Sequence, residues 1–164
     1  MSIIIRKATT GDLPGILEIV NYEILNTTAI WDYDVRTLEQ QAAILEEKNN
    51  SGFPFLVAEK SNTVVGFGTY GTFRYKTGYR FTVEHSVYVH KDYTGIGIGS
   101  LLLKELIEMA RLQKLHTMIG VIDSENGGSI AFHEHLGFKR VGHIKETGYK
   151  FDRWLDSVFV QMML

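Results

Sequence analysis

The chain of 164 residues is 45% hydrophobic and 22% charged, with a formal net charge of −2. It reads as one globular domain over residues 1–164, and at about this size folding removes roughly 68–70% of the unfolded surface from water. That charge gives no electrostatic case for nucleic acid or an anionic membrane surface. The absence of cysteine excludes disulfides, thiolate zinc sites and a cysteine nucleophile, and fits a cytosolic setting. The apolar run at residues 3–5 is too short for a signal peptide, and no stretch approaches the length of a membrane span.

Residues 3–8 read as a first strand. Thr10, Gly11 and Asp12 then offer an N-cap, and Pro14 fits the first turn of a helix carrying Leu13, Ile16, Leu17, Val20 and Ile24 at helical spacing. A loop over residues 26–36 holds Trp31 and Tyr33. Thr37 caps a second helix running to about Asn49. Residues 55–59 and 64–70, joined by Ser61 and Asn62, form a hairpin. After an aromatic and polar loop at 73–79, residues 81–89 form a strand. Phe81, Val83, Val87 and Val89 mark one of its faces, and Glu84, Ser86 and Tyr88 the other. A helix from about Gly97 to Gln113, a strand at 117–122, a helix at 126–136 stopped by Gly137, and strands at 138–145 and 154–163 complete the chain. Strands and helices interleave around a mixed sheet, an α/β (α+β) class.

Between the strand at 81–89 and the helix that follows lies Thr94-Gly95-Ile96-Gly97-Ile98-Gly99-Ser100. Glycine lets backbone approach a ligand, and a helix N-terminus favours anions, so a strand, a glycine turn and a helix start can cradle a diphosphate. A Walker loop requires a lysine that Gly99-Ser100 lacks, and a dinucleotide fingerprint requires glycine where Ser100 stands. A turn that merely caps the helix remains the bland alternative.

The segment around this loop resembles motif A of the GCN5-related N-acetyltransferases, whose Gln/Arg-x-x-Gly-x-Gly/Ala pattern falls on Thr94, Gly97 and Gly99, with Thr94 departing from the usual Gln or Arg. Asn126, Ser129, His133, Gly137 and Phe138 are similar to the same family's second signature. Tyr79-Arg80-Phe81-Thr82-Val83-Glu84-His85, the Trp31 loop, Phe73-Arg74-Tyr75 and the tail from Lys150 to Asp156 resemble the phosphinothricin and methionine sulfoximine N-acetyltransferase subgroup. The resemblance covers essentially the whole chain. It implies a central, mostly antiparallel sheet of about seven strands with about four helices, acetyl-CoA as cosubstrate, a small amino acid or analogue as acceptor, and a homodimer.

The resemblance also implies site roles. Backbone of Gly95, Ile96, Gly97, Ile98, Gly99 and Ser100, with Thr94, meets the coenzyme A diphosphate. The strand Val87-Tyr88-Val89 meets the pantetheine and the developing oxyanion, and Asn126 and Ser129 line the arm. Acetyl transfer needs a neutral amine, and most amines are protonated at pH 7; a carboxylate can remove that proton, directly or through a water, and Glu84 is the candidate, against the bland reading of a carboxylate on a solvated face or in a surface ion pair. His133 stands where the family places its general acid, though a structural histidine is equally consistent with it. Arg74, Tyr75 and Trp31 are candidates for the acceptor pocket, since a guanidinium pairs well with carboxylate or phosphinate. No metal is expected: in His133-Glu134-His135 a zinc spacing would place the second histidine at Gly137. The rivals are an acetyltransferase for another amine (a polyamine, an aminoglycoside or a protein N-terminus) and a silent acyl-CoA-binding module.

Overall fold

A computed structural model describes residues 2–164. Strands β1 (Ile4–Lys7), β2 (Phe55–Lys60), β3 (Thr63–Thr72), β4 (Thr82–Val89), β5 (Thr117–Asp123), β6 (Lys139–Lys150) and β7 (Arg153–Met163) form one sheet in the order β1-β2-β3-β4-β5-β7-β6. Helices α1 (Leu13–Asn26) and α2 (Leu38–Asn50) cover one face, and α3 (Ile98–Leu112) and α4 (Gly127–His135) the other. Every strand pair is antiparallel except β4–β5, which is parallel and joined by the α3 crossover.

Burial explains the two layers. Ile16, Ile19, Val20 and Ile24 of α1 pack with Phe55, Val57 and Phe67 on one face. Leu102, Leu103, Leu106, Ile107 and Ala110 of α3 pack with Leu56, Val65, Val83, Met118 and Val160 on the other. β4 alternates between these layers, so Val83, His85, Val87 and Val89 face α3, while Glu84, Ser86 and Tyr88 face α1 and α2.

Two departures from the sequence reading have local causes. Residues 10–12 form a short 3₁₀ turn before α1, and the Asp12 carboxylate reaches back to the Thr9 N–H at 2.7 Å and to Arg6 at 2.7 and 2.8 Å instead of capping the helix. β6 runs to Lys150, beyond the expected end at 145, and meets β7 through Phe151 and Asp152, both at positive φ. Two irregularities interrupt its pairing, at Arg140/Gly142 and Ile144/Gly148, and it is exposed along nearly all its length, so no two-residue hydrophobic period marks it.

Two buried groups couple this fold to pH in windows that adjoin. Asp12 is 6% exposed, and hydrogen bonding to Arg6 lowers its pKa from 3.8 to about 2. Its stabilisation is therefore full above pH 4 and disappears as pH falls through 2. His85 is wholly buried, and desolvation lowers its pKa from 6.5 to about 3. The unfolded chain takes up that proton first, so stability falls as pH drops below 6.5. Urea titrations at fixed protein concentration are expected to show Asp12→Asn weaker by about 2 kcal/mol at pH 7, with the gap closing at pH 2. Between pH 6.5 and 4, His85→Phe is expected to flatten the decline by about 1.4 kcal/mol per pH unit; an unchanged slope overturns the assignment.

Candidate active site

The parallel pairing of β4 with β5 is three residues long, Thr82↔Thr117, Val83↔Met118 and Glu84↔Ile119. Beyond it β4 stays paired only with β3, and β5 only with β7. A wedge therefore opens in the middle of the sheet, just past Glu84. The His90 N–H donates to the Val65 carbonyl at 2.9 Å, which fixes the alternation along β4. The backbone groups of Tyr88 and Ser86 face β3, and those of Val87 and Val89 face the wedge.

This separates the three residues expected to act together. Val87 and Val89 present backbone N–H and C=O groups at the opening. Tyr88 does not: its backbone lies in the β3 ladder opposite Phe67, and its ring packs on Phe67 at 5.2 Å between centroids. The cofactor role expected of Tyr88 is therefore corrected to a core role on the α1 side.

The glycine loop ends beside the same opening. Gly95 and Gly97 have φ of +77° and +88°, a region L side chains rarely adopt, and a Cβ at either would meet only open space. Gly97 is the N-cap residue of α3 without a capping side chain, so the first N–H groups of the helix, Ile98, Gly99 and Ser100, have no intrahelical acceptor. The Ile98 side chain is buried in the core, so it can offer a ligand only its backbone; Ile96 is exposed. Thr94 turns its hydroxyl to the Lys91 carbonyl at 3.4 Å. The residues present thus fit an anionic diphosphate through backbone donors and the helix dipole.

Glu84 lies on the opposite side of the sheet, half-buried in a cleft of about 340 Å³ lined also by Glu47, Lys48, Gly71, Thr72, Tyr75 and Ser86. Burial raises its pKa above 4.5, and the positive charges of Arg74 and Lys48 act the other way. Tyr75 is fully exposed at the rim. The Arg74 guanidinium lies 4.4 Å from the centroid of the neighbouring Phe73 ring and donates to the Phe73 carbonyl at 3.0 Å. Trp31 is not part of this cleft lining. Its indole N–H donates to the Thr28 carbonyl at 2.8 Å, and its ring covers Gly148 of β6, where a Cβ would lie 2.3 Å away. The loop around it is pinned by Lys150, whose ammonium donates to the Thr27 and Ile30 carbonyls, and by Tyr33 on the Tyr149 carbonyl. Trp31 anchors this loop to the β6–β7 hairpin.

On the α4 side, Asn126 caps the helix by accepting from the Ser129 N–H at 3.0 Å. His133 Nδ1 lies 2.6 Å from the Ser129 carbonyl, which can only accept, so Nδ1 carries a proton. Desolvation lowers the His133 pKa, so at pH 7 the ring is neutral and Nε2 is a bare acceptor, without a partner. This arrangement accords with the structural reading of His133 that stands beside the expected role of general acid. It stacks on His85 at 5.0 Å between centroids, with Phe138 edge-on to both.

Lys48 was not singled out in the sequence. It sits in the last turn of α2, where a cation ordinarily complements the helix dipole, and nothing in the local sequence places it beside Glu84. Among the described residues no cluster of three or more His, Asp or Glu side chains could hold a metal ion, and no helix is long and apolar enough to cross a membrane.

The sequence pattern of the acetyltransferase (GNAT) domain matches residues 5–159. An L-methionine sulfoximine/L-methionine sulfone acetyltransferase of Pseudomonas aeruginosa is 46% identical over 165 residues, covering 100% of this chain and 96% of that protein. A Salmonella typhimurium structure of a putative acetyltransferase with its cofactor acetyl-CoA is 40% identical, with a TM-score of 0.97 over 100% of this chain and 95% of the other. A ribosomal-protein-alanine N-acetyltransferase of Brucella melitensis is 47% identical, with a TM-score of 0.97 over 98% of this chain and 99% of that one. With the parted strands, the glycine cradle and these relatives on record, the chain belongs to the GNAT family of N-acetyltransferases.

Proposed function

We propose that this chain, acting as one catalytic domain, transfers acetyl from acetyl-CoA to the α-amino group of a small amino acid of the methionine sulfone, methionine sulfoximine or phosphinothricin type. The observation that carries this reading is the position of Glu84. It is a half-buried carboxylate with a raised pKa at the point where β4 and β5 part, in a cleft that also holds a cation. The similarity to the Pseudomonas aeruginosa enzyme supports the acceptor class. The Brucella melitensis relative favours a protein N-terminus instead; a cleft that sets the Lys48 ammonium among the carboxylates of Glu47 and Glu84 suits a zwitterion better.

On this reading acetyl-CoA supplies the thioester, its diphosphate held by backbone N–H groups of residues 95–100. Glu84 takes the proton of the acceptor ammonium, directly or through a water, and frees the amine to attack. A backbone N–H of Val87 or Val89, facing the wedge, meets the charge that develops on the carbonyl oxygen. The first ammonium proton ends on Glu84; as the new C–N bond forms the C–S bond breaks, the second proton of the attacking nitrogen passes to the departing thiolate, and the N-acetyl product and free coenzyme A leave without a covalent enzyme intermediate.

Release of free coenzyme A, measured across methionine sulfone, methionine sulfoximine, phosphinothricin, spermidine and an alanine-terminated peptide, tests the acceptor class. Turnover confined to the amino acids is expected; turnover only with the peptide or the polyamine overturns the reading. Glu84→Gln is expected to lower kcat by about 10²–10⁴ while leaving acetyl-CoA affinity within about twofold. In the parent enzyme kcat/KM should decline as pH falls through a carboxylate pKa above 4.5. Near-normal kcat in Glu84→Gln removes Glu84 from the mechanism. Gly97→Ala places a side chain at φ +88°, which is expected to weaken acetyl-CoA binding about tenfold by calorimetry through loss of loop geometry; unchanged affinity removes the loop from the site.

We also propose a homodimer in the cytosol. β6 is an open sheet edge carrying exposed Val141 and Ile144, with Trp154 and Phe151 beside it. Sedimentation at micromolar concentration is expected to give twice the chain mass, and a single chain mass that persists as the concentration is raised overturns this part.

A further inference from the structure

The Lys48 ammonium rests directly on the backbone of β3. A Cβ at Gly71 would lie 2.3 Å from Nζ, so glycine is what lets the ammonium lie this low on the sheet. Gly71 is the register partner of Glu84 across β3 and β4. Directly opposed residues point to the same face, with Cβ positions about 4.5–5.5 Å apart. The ammonium and the Glu84 stem therefore stand side by side on the cleft floor. They make no ion pair within the usual contact distance; the acceptor of Lys48 among the described residues is the Tyr70 carbonyl oxygen at 3.2 Å. An ammonium has three donors, so two remain for a ligand.

An amino acid carries the complementary pair, an ammonium next to a carboxylate. We propose that Lys48 receives the α-carboxylate of the acceptor while Glu84 receives its ammonium, so that the two side chains together select a zwitterion. Arg74 is the other cation whose charge reaches Glu84, but its guanidinium is folded onto the Phe73 ring and donates to the Phe73 carbonyl, whereas Lys48 lies on the cleft floor beside Gly71. This assignment rests on the amino-acid reading above.

Initial rates with methionine sulfone and with its α-carboxamide separate the outcomes, using the parent enzyme, Lys48→Met, Lys48→Arg and Gly71→Ala. The parent is expected to prefer the free acid over the amide. Lys48→Met should raise KM for methionine sulfone about 10–100-fold, as for loss of a charged hydrogen bond, abolish the preference for the acid, and leave KM for acetyl-CoA within about twofold. Lys48→Arg should restore part of the preference. Gly71→Ala keeps the charge but pushes it off the floor, and should lose the preference as Lys48→Met does; this variant decides the matter if Lys48→Met does not fold. Retained discrimination in both variants overturns the inference, as does a shifted pH profile of kcat with unchanged acceptor KM, which would make Lys48 a tuner of Glu84. If the parent acetylates no amino acid, the amino-acid reading itself fails. If the parent acetylates acid and amide equally well, only the Lys48 assignment fails.

Discussion

The rest of the site depends on one break in hydrogen bonding, the end of the β4–β5 ladder at Glu84↔Ile119. A sheet strand with a free side in its own centre is costly unless its polar groups find partners, because buried N–H and C=O groups without them lose about as much as a hydrogen bond. Here each strand keeps one partner, β3 for β4 and β7 for β5. The free sides face each other across the wedge. Backbone donors of Val87 and Val89 are thereby held rigidly by a continuous β3 ladder while remaining open to a ligand, which suits a site meant to bind charge as it forms.

The same break joins two faces of the sheet that are otherwise sealed from one another. The helix dipole and glycine cradle belong to the α3 layer, and Glu84 and Lys48 belong to the α2 layer. On the proposed reading the anion-binding half and the acceptor-binding half are electrostatically insulated by the sheet itself, and meet only where its strands part. Glu84 can then keep a raised pKa from burial without being flooded by the positive field that holds the diphosphate. The Arg6–Asp12–Glu59 cluster ties β1, β2 and the start of α1 together at the far edge, at 2.6–2.8 Å, and bears on stability alone.

Much of this was readable before any coordinates, for identifiable reasons. The alternation of β4 put Glu84 and His85 on opposite faces because side-chain direction has a strict period of two, and that assignment matches the layers observed. The run Val87-Tyr88-Val89 was read as one backbone unit, and there the sequence failed, since backbone polarity also alternates and only the β3 register says which residue is tied up. Lys48 was invisible because its meaning comes from Gly71, in a different element. Trp31 met the same limit, since its partner Gly148 lies on the last hairpin. The extension of β6 was missed because a strand exposed along its length carries no apolar period and its irregularities break the register.

The state of His133 constrains how the proposed reaction can end. With Nδ1–H given to the Ser129 carbonyl and the ring desolvated, a proton on Nε2 would have to create a buried cation next to His85, whose own charged form is strongly disfavoured. The departing thiolate has less need of an acid than an amine or alkoxide would, because an ordinary thiol pKa is about 8.5. The nitrogen that attacks still carries a second proton it must lose, and that proton lies within the reacting assembly. It can satisfy the sulfur without passing through His133. The Gly120 backbone, where a Cβ would sit 3.0 Å from His85 Nε2 and 3.5 Å from His133 Nε2, leaves room for the two neutral rings to stack on one another.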